Sequence, residues 1–423
     1  MRVLLNDRRF VLVLVVFSVL CFAPGNRIEA QQPSPWWPQW RGPNRDGAVM
    51  DFVAPKTWPE TLKQVWRVEV GEGHASPLVA GDKIYLHSRL DDKETATCFR
   101  LDTGDVVWRE SYPAPYTMNR AASRHGKGPK STPVLHAGKL YTLGITGILS
   151  CFDAETGTRK WQKDFSGQFS LTTPEFGTAM SPIVADGLLI VHIGGLDKGA
   201  LIAFDAATGE EKWQWAEDGP GYASPVVAML GGVKQLVTQS ENHCIGIALD
   251  SGKLLWQMPF TTPYDQNIIT SVVAGETVIL SGLQQGTTAV RPVRHGDEWE
   301  AEQVWHNADV SMYMSSPVLH GGLLFGFSHQ QKGRFFCLDA STGTTRWTGE
   351  GREGENAAIL RSEDYLFFLM DDGRLIVAAP DAESHKPIAA YKVADSPTWA
   401  HPAIFNRHIL VKDVSTLTLW RVD

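Results

Sequence analysis

The chain has 423 residues, and 39 Lys and Arg against 47 Asp and Glu give it a formal net charge of −8. Hydrophobic residues make up 43% and charged residues 20%, which is the balance of an ordinary globular protein. This composition excludes a disordered chain and a coiled coil, and a mildly acidic chain is a poor candidate for nonspecific nucleic-acid binding. The 39 Gly and 15 Trp are typical of tight turns and aromatic anchors, as in an all-β repeat protein.

Residues 1–30 have the pattern of a secretory signal peptide. Basic residues precede an apolar run from Phe10 to Phe22, and Ala30 ends a small-residue cleavage site. The run is too short to span a bilayer comfortably. We therefore predict an exported protein, periplasmic or secreted, with no stable membrane span after cleavage. An uncleaved anchor and a lipidated Cys21 are the alternatives.

A repeated segment runs through the rest of the chain. The segment 151–161, CFDAETGTRKW, recurs at 203–213 and 337–347, and segments 101–108 and 249–256 read as versions with a turn two residues shorter. The apolar run before the Asp predicts a strand, Asp and Gly predict a tight turn, and the run to Trp predicts the next antiparallel strand. An upstream Ser-Pro or Thr-Pro pair begins two further strands, so each unit has four.

The spacing of the repeats predicts the number of blades. From Trp66 to Trp347 the tryptophans lie about 47 residues apart, close to the period of a propeller blade. Seven blades follow one another, and the C-terminal strands need a fourth strand that segment 64–68 supplies. The fold class is therefore an all-β, eight-bladed propeller of four-stranded antiparallel blades over residues 63–423, closed by pairing of its N- and C-terminal strands. The residues assigned to blade docking and turn capping are Trp66, Trp108, Trp161, Trp213, Trp256, Trp305, Trp347, Asp102, Asp153, Asp205, Asp250 and Asp339.

The A-x-D-x-x-T-G-x-x-x-W pattern resembles the tryptophan-docking motif of the pyrroloquinoline-quinone (PQQ) repeat propellers. That superfamily includes quinoprotein alcohol dehydrogenases and the outer-membrane assembly propeller BamB. The resemblance covers about residues 63–423. The segment 37–47 is also similar to the arm that precedes secreted PQQ-like propellers of planctomycete-type bacteria, so residues 31–62 are predicted to lie across the propeller as an N-terminal arm. The resemblance implies the fold and leaves the activity open.

Residues that would carry enzyme chemistry are missing from the sequence. If the chain were a quinoprotein dehydrogenase, the resemblance would imply bound PQQ, a Ca²⁺ ion and a catalytic Asp. Such enzymes commonly have two adjacent cysteines over the quinone. The sequence has no Cys-Cys pair, no C-x-x-C-H haem motif and no H-E-x-x-H, G-x-S-x-G or P-loop pattern. We therefore expect no catalytic residue, no metal and no cofactor. PQQ and Ca²⁺ are expected only under the alternative reading as a PQQ-dependent oxidoreductase.

The loops from each outer strand to the next inner strand are predicted to emerge on one face around the channel. They carry non-repeating polar and aromatic residues, which are the types used at binding surfaces. Loop 116–130 holds four basic residues and a His with no acid, which suits a carboxylate, sulfate or phosphate. A solvated loop and a self-satisfied channel plug are the alternatives. The candidate binding residues are His74, Tyr116, Asn119, Arg120, Arg124, His125, Lys127, Phe176, Tyr222, Tyr264, Asn267, Tyr313, Asn356, Trp399 and His401.

The predicted function is that of a non-catalytic binding or scaffold propeller similar to BamB. It would be a monomer that presents the loop face to an envelope protein, a peptide or a carbohydrate. No nucleic-acid partner is expected. The alternative function, a PQQ-dependent dehydrogenase of alcohols or sugars, would use the same face.

Overall fold

A computed structural model describes residues 34–195 and 198–423. The signal peptide predicted at residues 1–30 lies outside the described residues. Within them the chain forms strands joined by turns, with short 3-10 helices at Arg120–His125, Pro263–Asp265 and Gln330–Lys332. No helix in these two ranges is long and apolar enough to cross a membrane.

Eight antiparallel sheets form the blades of a ring. Within a blade, strands that follow one another along the chain are hydrogen-bonded neighbours, and blade 8 adds one N-terminal strand to three C-terminal strands. The first strands are β1 (Trp36–Trp37) in the arm and β2 (Lys63–Glu69), which belongs to blade 8. The strands of blades 1 and 2 are β3 (Leu78–Ala80), β4 (Lys83–Leu90), β5 (Lys93–Arg100), β6 (Val106–Pro113), β7 (Val134–His136), β8 (Lys139–Leu143), β9 (Leu149–Asp153) and β10 (Arg159–Lys163). Those of blades 3 and 4 are β11 (Ile183–Ala185), β12 (Leu188–Gly195), β13 (Lys198–Asp205), β14 (Glu211–Trp215), β15 (Val226–Leu230), β16 (Val233–Gln239), β17 (His243–Ala248) and β18 (Leu254–Pro259).

The second half of the ring repeats the same pattern. The strands of blades 5 and 6 are β19 (Val272–Ala274), β20 (Thr277–Ser281), β21 (Thr287–His295), β22 (Glu298–Asn307), β23 (Val318–His320), β24 (Leu323–Ser328), β25 (Arg334–Asp339) and β26 (Thr345–Thr348). Those of blades 7 and 8 are β27 (Ala357–Arg361), β28 (Leu366–Met370), β29 (Arg374–Ala379), β30 (Lys386–Lys392), β31 (Ala403–Phe405), β32 (His408–Lys412) and β33 (Thr416–Arg421). Strand β2 completes blade 8 by pairing with β33, from Lys63 opposite Arg421 to Glu69 opposite Thr416. The predicted fold, including its closure by both ends of the chain, is confirmed.

Tryptophans join most blades to the next blade in the ring. Trp108 of blade 1 donates its indole N–H to the carbonyl oxygen of Ala154 in blade 2, at 3.0 Å. Its ring covers Gly157, where φ is +75° and an added Cβ would lie 2.6 Å from ring carbons. The turn therefore needs glycine both for its left-handed backbone and for the space the ring occupies. The same indole-to-carbonyl hydrogen bond joins Trp66 to Leu101, Trp213 to Leu249, Trp305 to Ala340 and Trp347 to Asp381.

Two of the predicted docking tryptophans behave differently. Trp256 donates to the side-chain oxygen of Gln235 within its own blade, at 2.7 Å. Blade 5 offers it no Thr-Gly turn, because β21 and β22 form a long hairpin there. Trp161 packs its ring against Gly209 as the others do, but its indole nitrogen is buried without a hydrogen-bond partner.

The turn aspartates cap their turns in the full-length repeats. The carboxylate of Asp153 accepts hydrogen bonds from the backbone N–H groups of Glu155 and Thr156. Asp205 and Asp339 bond in the same way to the residues two and three positions later. The hydrogen bond from the Thr156 N–H holds the pKa of Asp153 below its ordinary value.

The interpretation of two shortened turns was wrong, and with it the capping role given to Asp102 and Asp250. The Gly104 N–H bonds to the Arg100 carbonyl and the Gly252 N–H to the Ala248 carbonyl. In the full-length repeat the Gly157 N–H likewise bonds to the carbonyl of the residue four positions earlier, Asp153. The turns that were read as shorter therefore have the same length as the others. Arg100 and Ala248 therefore occupy the capping position, and the two aspartates lie two residues later. Asp102 is exposed, and its carboxylate lies 3.6 Å from Arg100.

A belt of hydroxyl groups links the inner ends of neighbouring blades. Thr132 Oγ1 accepts a hydrogen bond from the Ser76 N–H, and Ser181 Oγ accepts one from the Thr132 N–H, both at 3.0 Å. The same link runs from the Ser181 N–H to Ser224, from the Thr270 N–H to Ser316 and from the His401 N–H to Ser76. The Ser or Thr before each strand-opening Pro thus satisfies a buried backbone donor of the adjacent blade.

The N-terminal arm enters the centre of the ring. Strand β1 pairs with β3, which makes blade 1 five-stranded. Arg41 donates to the carbonyl oxygens of Ser316 and Pro317 in blade 6, at 2.7 and 2.5 Å. Arg45 donates to the carbonyl oxygens of Ser181 and Pro182 in blade 3, both at 3.0 Å. The arm therefore ties together blades on different sides of the axis.

Candidate binding pocket on the loop face

A cavity of about 360 Å³ opens among the loops that lead into the inner strands. Loops of all eight blades contribute to its wall, and Trp40 of the arm contributes as well. Ten of the predicted binding residues line it: His74, Arg124, His125, Phe176, Tyr222, Tyr264, Tyr313, Asn356, Trp399 and His401. The structure therefore brings most of the candidate set to one place.

Five predicted residues lie outside the lining of this cavity, namely Tyr116, Asn119, Arg120, Lys127 and Asn267. The side-chain oxygen of Asn119 accepts from the Ala121 N–H at 2.8 Å and caps the 3-10 helix that begins at Arg120. Asn267 is fully buried, and its amide donates to three backbone carbonyls. Both asparagines shape the loops around the cavity. Arg120 and Lys127 are exposed.

The sequence-based selection left out several lining residues. Among them are Trp40, Lys130, Gln266 and Met314. Lys130 lies in the basic loop that the sequence singled out, so its charge was the available signal. Trp40 belongs to the arm, where no repeat signals its position. The concentration of tryptophan at residues 36–40 was the available sign that the arm is buried.

Lys130 is the most deeply placed cation of the cavity. Its ammonium group donates to the carbonyl oxygen of Phe176 at 2.6 Å. Burial lowers the pKa of Lys130 to about 8. An ammonium group has three N–H donors, so one bond to a carbonyl leaves two for another acceptor.

The histidines of the cavity are neutral near pH 7. Burial, together with nearby cations, lowers the pKa of His74 to about 3 and that of His125 to about 4. Burial, with a contribution from the Arg41 charge, holds the pKa of His401 well below its ordinary value. His74 Nε2 lies 2.9 Å from the His125 carbonyl oxygen and donates to it. Its Nδ1 and that of His401 are buried without a protein partner.

Aromatic rings form much of the remaining wall. The Trp399 ring lies 4.5 Å from the His125 ring, edge to face, and the Arg124 guanidinium lies 5.7 Å from the Trp399 centroid. The hydroxyl groups of two of the lining tyrosines have protein partners. Tyr313 donates to the Gln266 side chain, and Tyr222 accepts from the Phe176 N–H at 3.2 Å. These walls therefore present ring faces to a ligand.

The donor set of the cavity does not fit a calcium-bound quinone. Among the residues that line it in the described part of the chain, none is Asp or Glu. The side-chain oxygen of Asn356 already accepts from the Ser315 hydroxyl at 2.6 Å. Ca²⁺ takes six to eight oxygen ligands, with carboxylates prominent among them. His295, Glu300 and Glu302 do bring donor atoms within 4.8 Å of one another, but they are exposed on the outer hairpin of blade 5.

Comparisons with known proteins agree with this architecture. The family model described as "Outer membrane protein assembly factor BamB" matches residues 92–349. An outer membrane protein assembly factor BamB from Shewanella oneidensis is 24% identical over 298 residues, which are 67% of this chain and 71% of that protein.

Solved structures with the same fold include members of both functional classes. Quinohemoprotein alcohol dehydrogenase from Comamonas testosteroni superposes with a TM-score of 0.66 at 14% identity, covering 92% of this chain and 80% of that one. BamB from Moraxella catarrhalis superposes with a TM-score of 0.59 at 13% identity, covering 85% of this chain and 100% of that one. At such identities the likeness concerns the fold alone.

Proposed function

The chain belongs to the BamB family of PQQ-like repeat propellers, and from this premise we propose that it is an exported, non-catalytic binding propeller. Its loop face would receive a protein, peptide or carbohydrate partner in the cell envelope. The relatives that share the family are named as assembly factors for outer membrane proteins, which supports a role among envelope proteins. The protein acts as a monomer in this proposal.

One observation carries the proposal, namely the composition of the cavity on the loop face. The strands and turns repeat from blade to blade, whereas the cavity is built from residues that do not repeat. Trp40, Tyr313 and Trp399 lie within it beside Lys130 and Arg124. Aromatic residues and Arg are the types enriched where proteins bind partners. A surface that served only to close the ring would need neither an open cavity nor a cation without a carboxylate partner.

The chemistry of the same cavity supports a binding role over an oxidoreductase role. A PQQ-dependent reaction needs a metal bound beside the quinone, and the described residues of the cavity wall include no carboxylate for it. The cysteines of the propeller do not supply redox chemistry there either. Cys98, Cys151, Cys244 and Cys337 are free and buried. Burial raises the pKa of Cys244 to about 12, so it stays a thiol.

Photo-cross-linking in the host bacterium tests the proposal. Tyr264 lies at the mouth of the cavity and is 74% exposed, so it can be replaced by p-benzoyl-L-phenylalanine with little change in shape. Ile388, 46% exposed on the outer strand of blade 7, is the matched control position. We expect a discrete adduct from position 264 in the envelope fraction and none from position 388. Adducts from position 388 alone would move the binding surface to the blade edges, and a protein confined to the cytosolic fraction would refute export.

A further inference from the structure

We propose that the loop-face cavity is a binding site for a carboxylate attached to an aromatic ring, with the acid at Lys130 and the ring between Tyr313 and Trp399. The inference rests on the proposed function, because it names the chemistry that the loop face would recognise. Its ligand class is a singly charged aromatic acid, bound without a metal ion.

Lys130 is the group expected to bind the carboxylate. Lys130 Nζ has one protein acceptor, the Phe176 carbonyl, and two further N–H groups. Among the described residues Lys130 forms no salt bridge, and the neighbouring His74 and His125 are neutral. Glu175, next to Phe176, is exposed and is bonded to Asn119 instead. A partly buried ammonium group without an anion is costly, and a bound carboxylate would lower that cost.

The second cation of the cavity is in a different state. Arg124 already pairs with Glu355 at 2.6 Å, and both side chains are more than half exposed. An exposed pair of this kind lies in water and contributes little. The cavity therefore has one unsatisfied positive charge in its interior and a neutralised one at its rim. This arrangement fits a monoanion such as a carboxylate better than a dianion such as a phosphate ester.

The rings supply the second part of the argument. The hydroxyl groups of Tyr313 and Tyr222 are engaged with Gln266 and with the Phe176 N–H. An aromatic body packs on ring faces, and the wall offers those of Trp40, Tyr313 and Trp399. The volume of about 360 Å³ lies at the lower end of the range for small-molecule sites, roughly 300–1,000 Å³. One aromatic acid fits within such a space.

Two sources can supply this chemistry, namely a free aromatic acid and the C-terminal aromatic residue of a peptide. Isothermal titration of the full mature protein, in EDTA, compares phenylacetate with N-acetyl-L-phenylalanine and with N-acetyl-L-phenylalaninamide. We expect both acids to bind and the amide to bind at least tenfold more weakly. The tighter acid identifies the source. Equal binding of acid and amide, or no binding of either acid, would overturn the inference.

Variants of the basic loop separate the site from general charge effects. Lys130→Met should weaken binding of the acids at least tenfold, while Lys127→Met removes the same charge from an exposed position of the same loop and should change nothing. Tyr313→Ala should weaken the acids as well, and its failure to do so would refute the placement of the ring. If Lys130→Met does not fold, Lys130→Arg gives an independent test.

The pH dependence provides that test. The ammonium form of Lys130 binds the acid, and its pKa is lowered to about 8 in the free protein. Affinity should therefore be nearly constant between about pH 6 and pH 7 and fall about tenfold between pH 7 and pH 9. Lys130→Arg keeps its charge over this range and should show no fall. A fall that persists in Lys130→Arg would refute the role of Lys130. Absence of acid binding with the Tyr264 adduct intact would refute this inference alone, whereas loss of the adduct would refute the proposed function.

Discussion

Replacing Gly157 by alanine should destabilise the propeller more than the same change at another left-handed glycine of blade 2. Gly157 has φ of +75°, and the new Cβ would lie 2.6 Å from the Trp108 ring. That ring cannot move away freely, because its indole nitrogen is bonded to Ala154. Gly138 in the same blade has φ of +72° and no atom within 4 Å of an added Cβ. The pair therefore differs in the tryptophan contact and not in the backbone.

The magnitudes follow from these two geometries. The left-handed backbone costs an alanine about 1–2 kcal/mol at either position. Overpacking against the ring adds about 1–3 kcal/mol at Gly157. Gly138→Ala should therefore lower the free energy of unfolding by about 1–2 kcal/mol and Gly157→Ala by about 2–5 kcal/mol.

Urea unfolding of the two variants measures the difference, with the slope m unchanged as the sign that only stability has moved. A double-mutant cycle with Trp108→Ala then isolates the contact. In the Trp108→Ala background, Gly157→Ala should cost only the backbone contribution of about 1–2 kcal/mol. Equal losses at Gly138 and Gly157, or a cost at Gly157 that survives removal of the ring, would refute the docking argument.

Three further predictions concern buried polar groups. Thr132→Val removes the acceptor of the Ser76 N–H and should lower the free energy of unfolding by about 1–3 kcal/mol, whereas Thr132→Ser keeps the acceptor. Equal losses of stability for the two variants in denaturant would contradict the role of the hydroxyl belt. Arg45→Met leaves two buried carbonyls unpaired and should cost about 2–6 kcal/mol, at about 1–3 kcal/mol for each acceptor. An unchanged midpoint would show that the arm does not hold the ring. Burial lowers the pKa of His87 to about 3 and that of His192 to about 4. Both histidines are neutral in the folded protein, so the free energy of unfolding should fall as the pH drops below about 6.5, by about 2 kcal/mol per group at pH 5. A free energy of unfolding that stays constant from pH 7 to pH 5 would contradict this prediction.

The fold could be predicted from the sequence because the same turn-and-tryptophan motif recurs in most blades. A Thr-Gly turn followed by Trp specifies a left-handed backbone and the ring that covers it, as Gly157 and Trp108 show. Where a blade carries only part of this motif, the predicted turn was wrong. The Asp102 turn matched the repeat in Asp, Gly and Trp, but Arg100 occupies the capping position, so the alignment on Asp was two residues off. Hydrogen-bond register, rather than residue identity, fixes such a position.

The site was only partly predictable, for a physical reason. Loop residues such as Tyr313 and Trp399 were selected because they break the repeat, and the ring topology gathers them into one cavity. Trp40 and the buried Arg41 come from a segment with no periodicity. Their positions depend on carbonyl groups of blades far away in sequence, such as that of Ser316. No local pattern encodes contacts of that range.

The most direct test of a non-catalytic binding propeller is a titration of the purified mature protein with PQQ and Ca²⁺, followed by melting temperature and a dye-linked alcohol oxidation assay. A ligand that binds the folded state at 100-fold above its Kd stabilises it by about 2.7 kcal/mol, which is readily visible. We expect no calcium-dependent rise in melting temperature and no turnover, since the cavity lining within residues 34–195 and 198–423 contains no carboxylate for the metal. Saturable, calcium-dependent stabilisation accompanied by turnover would contradict it and identify an oxidoreductase.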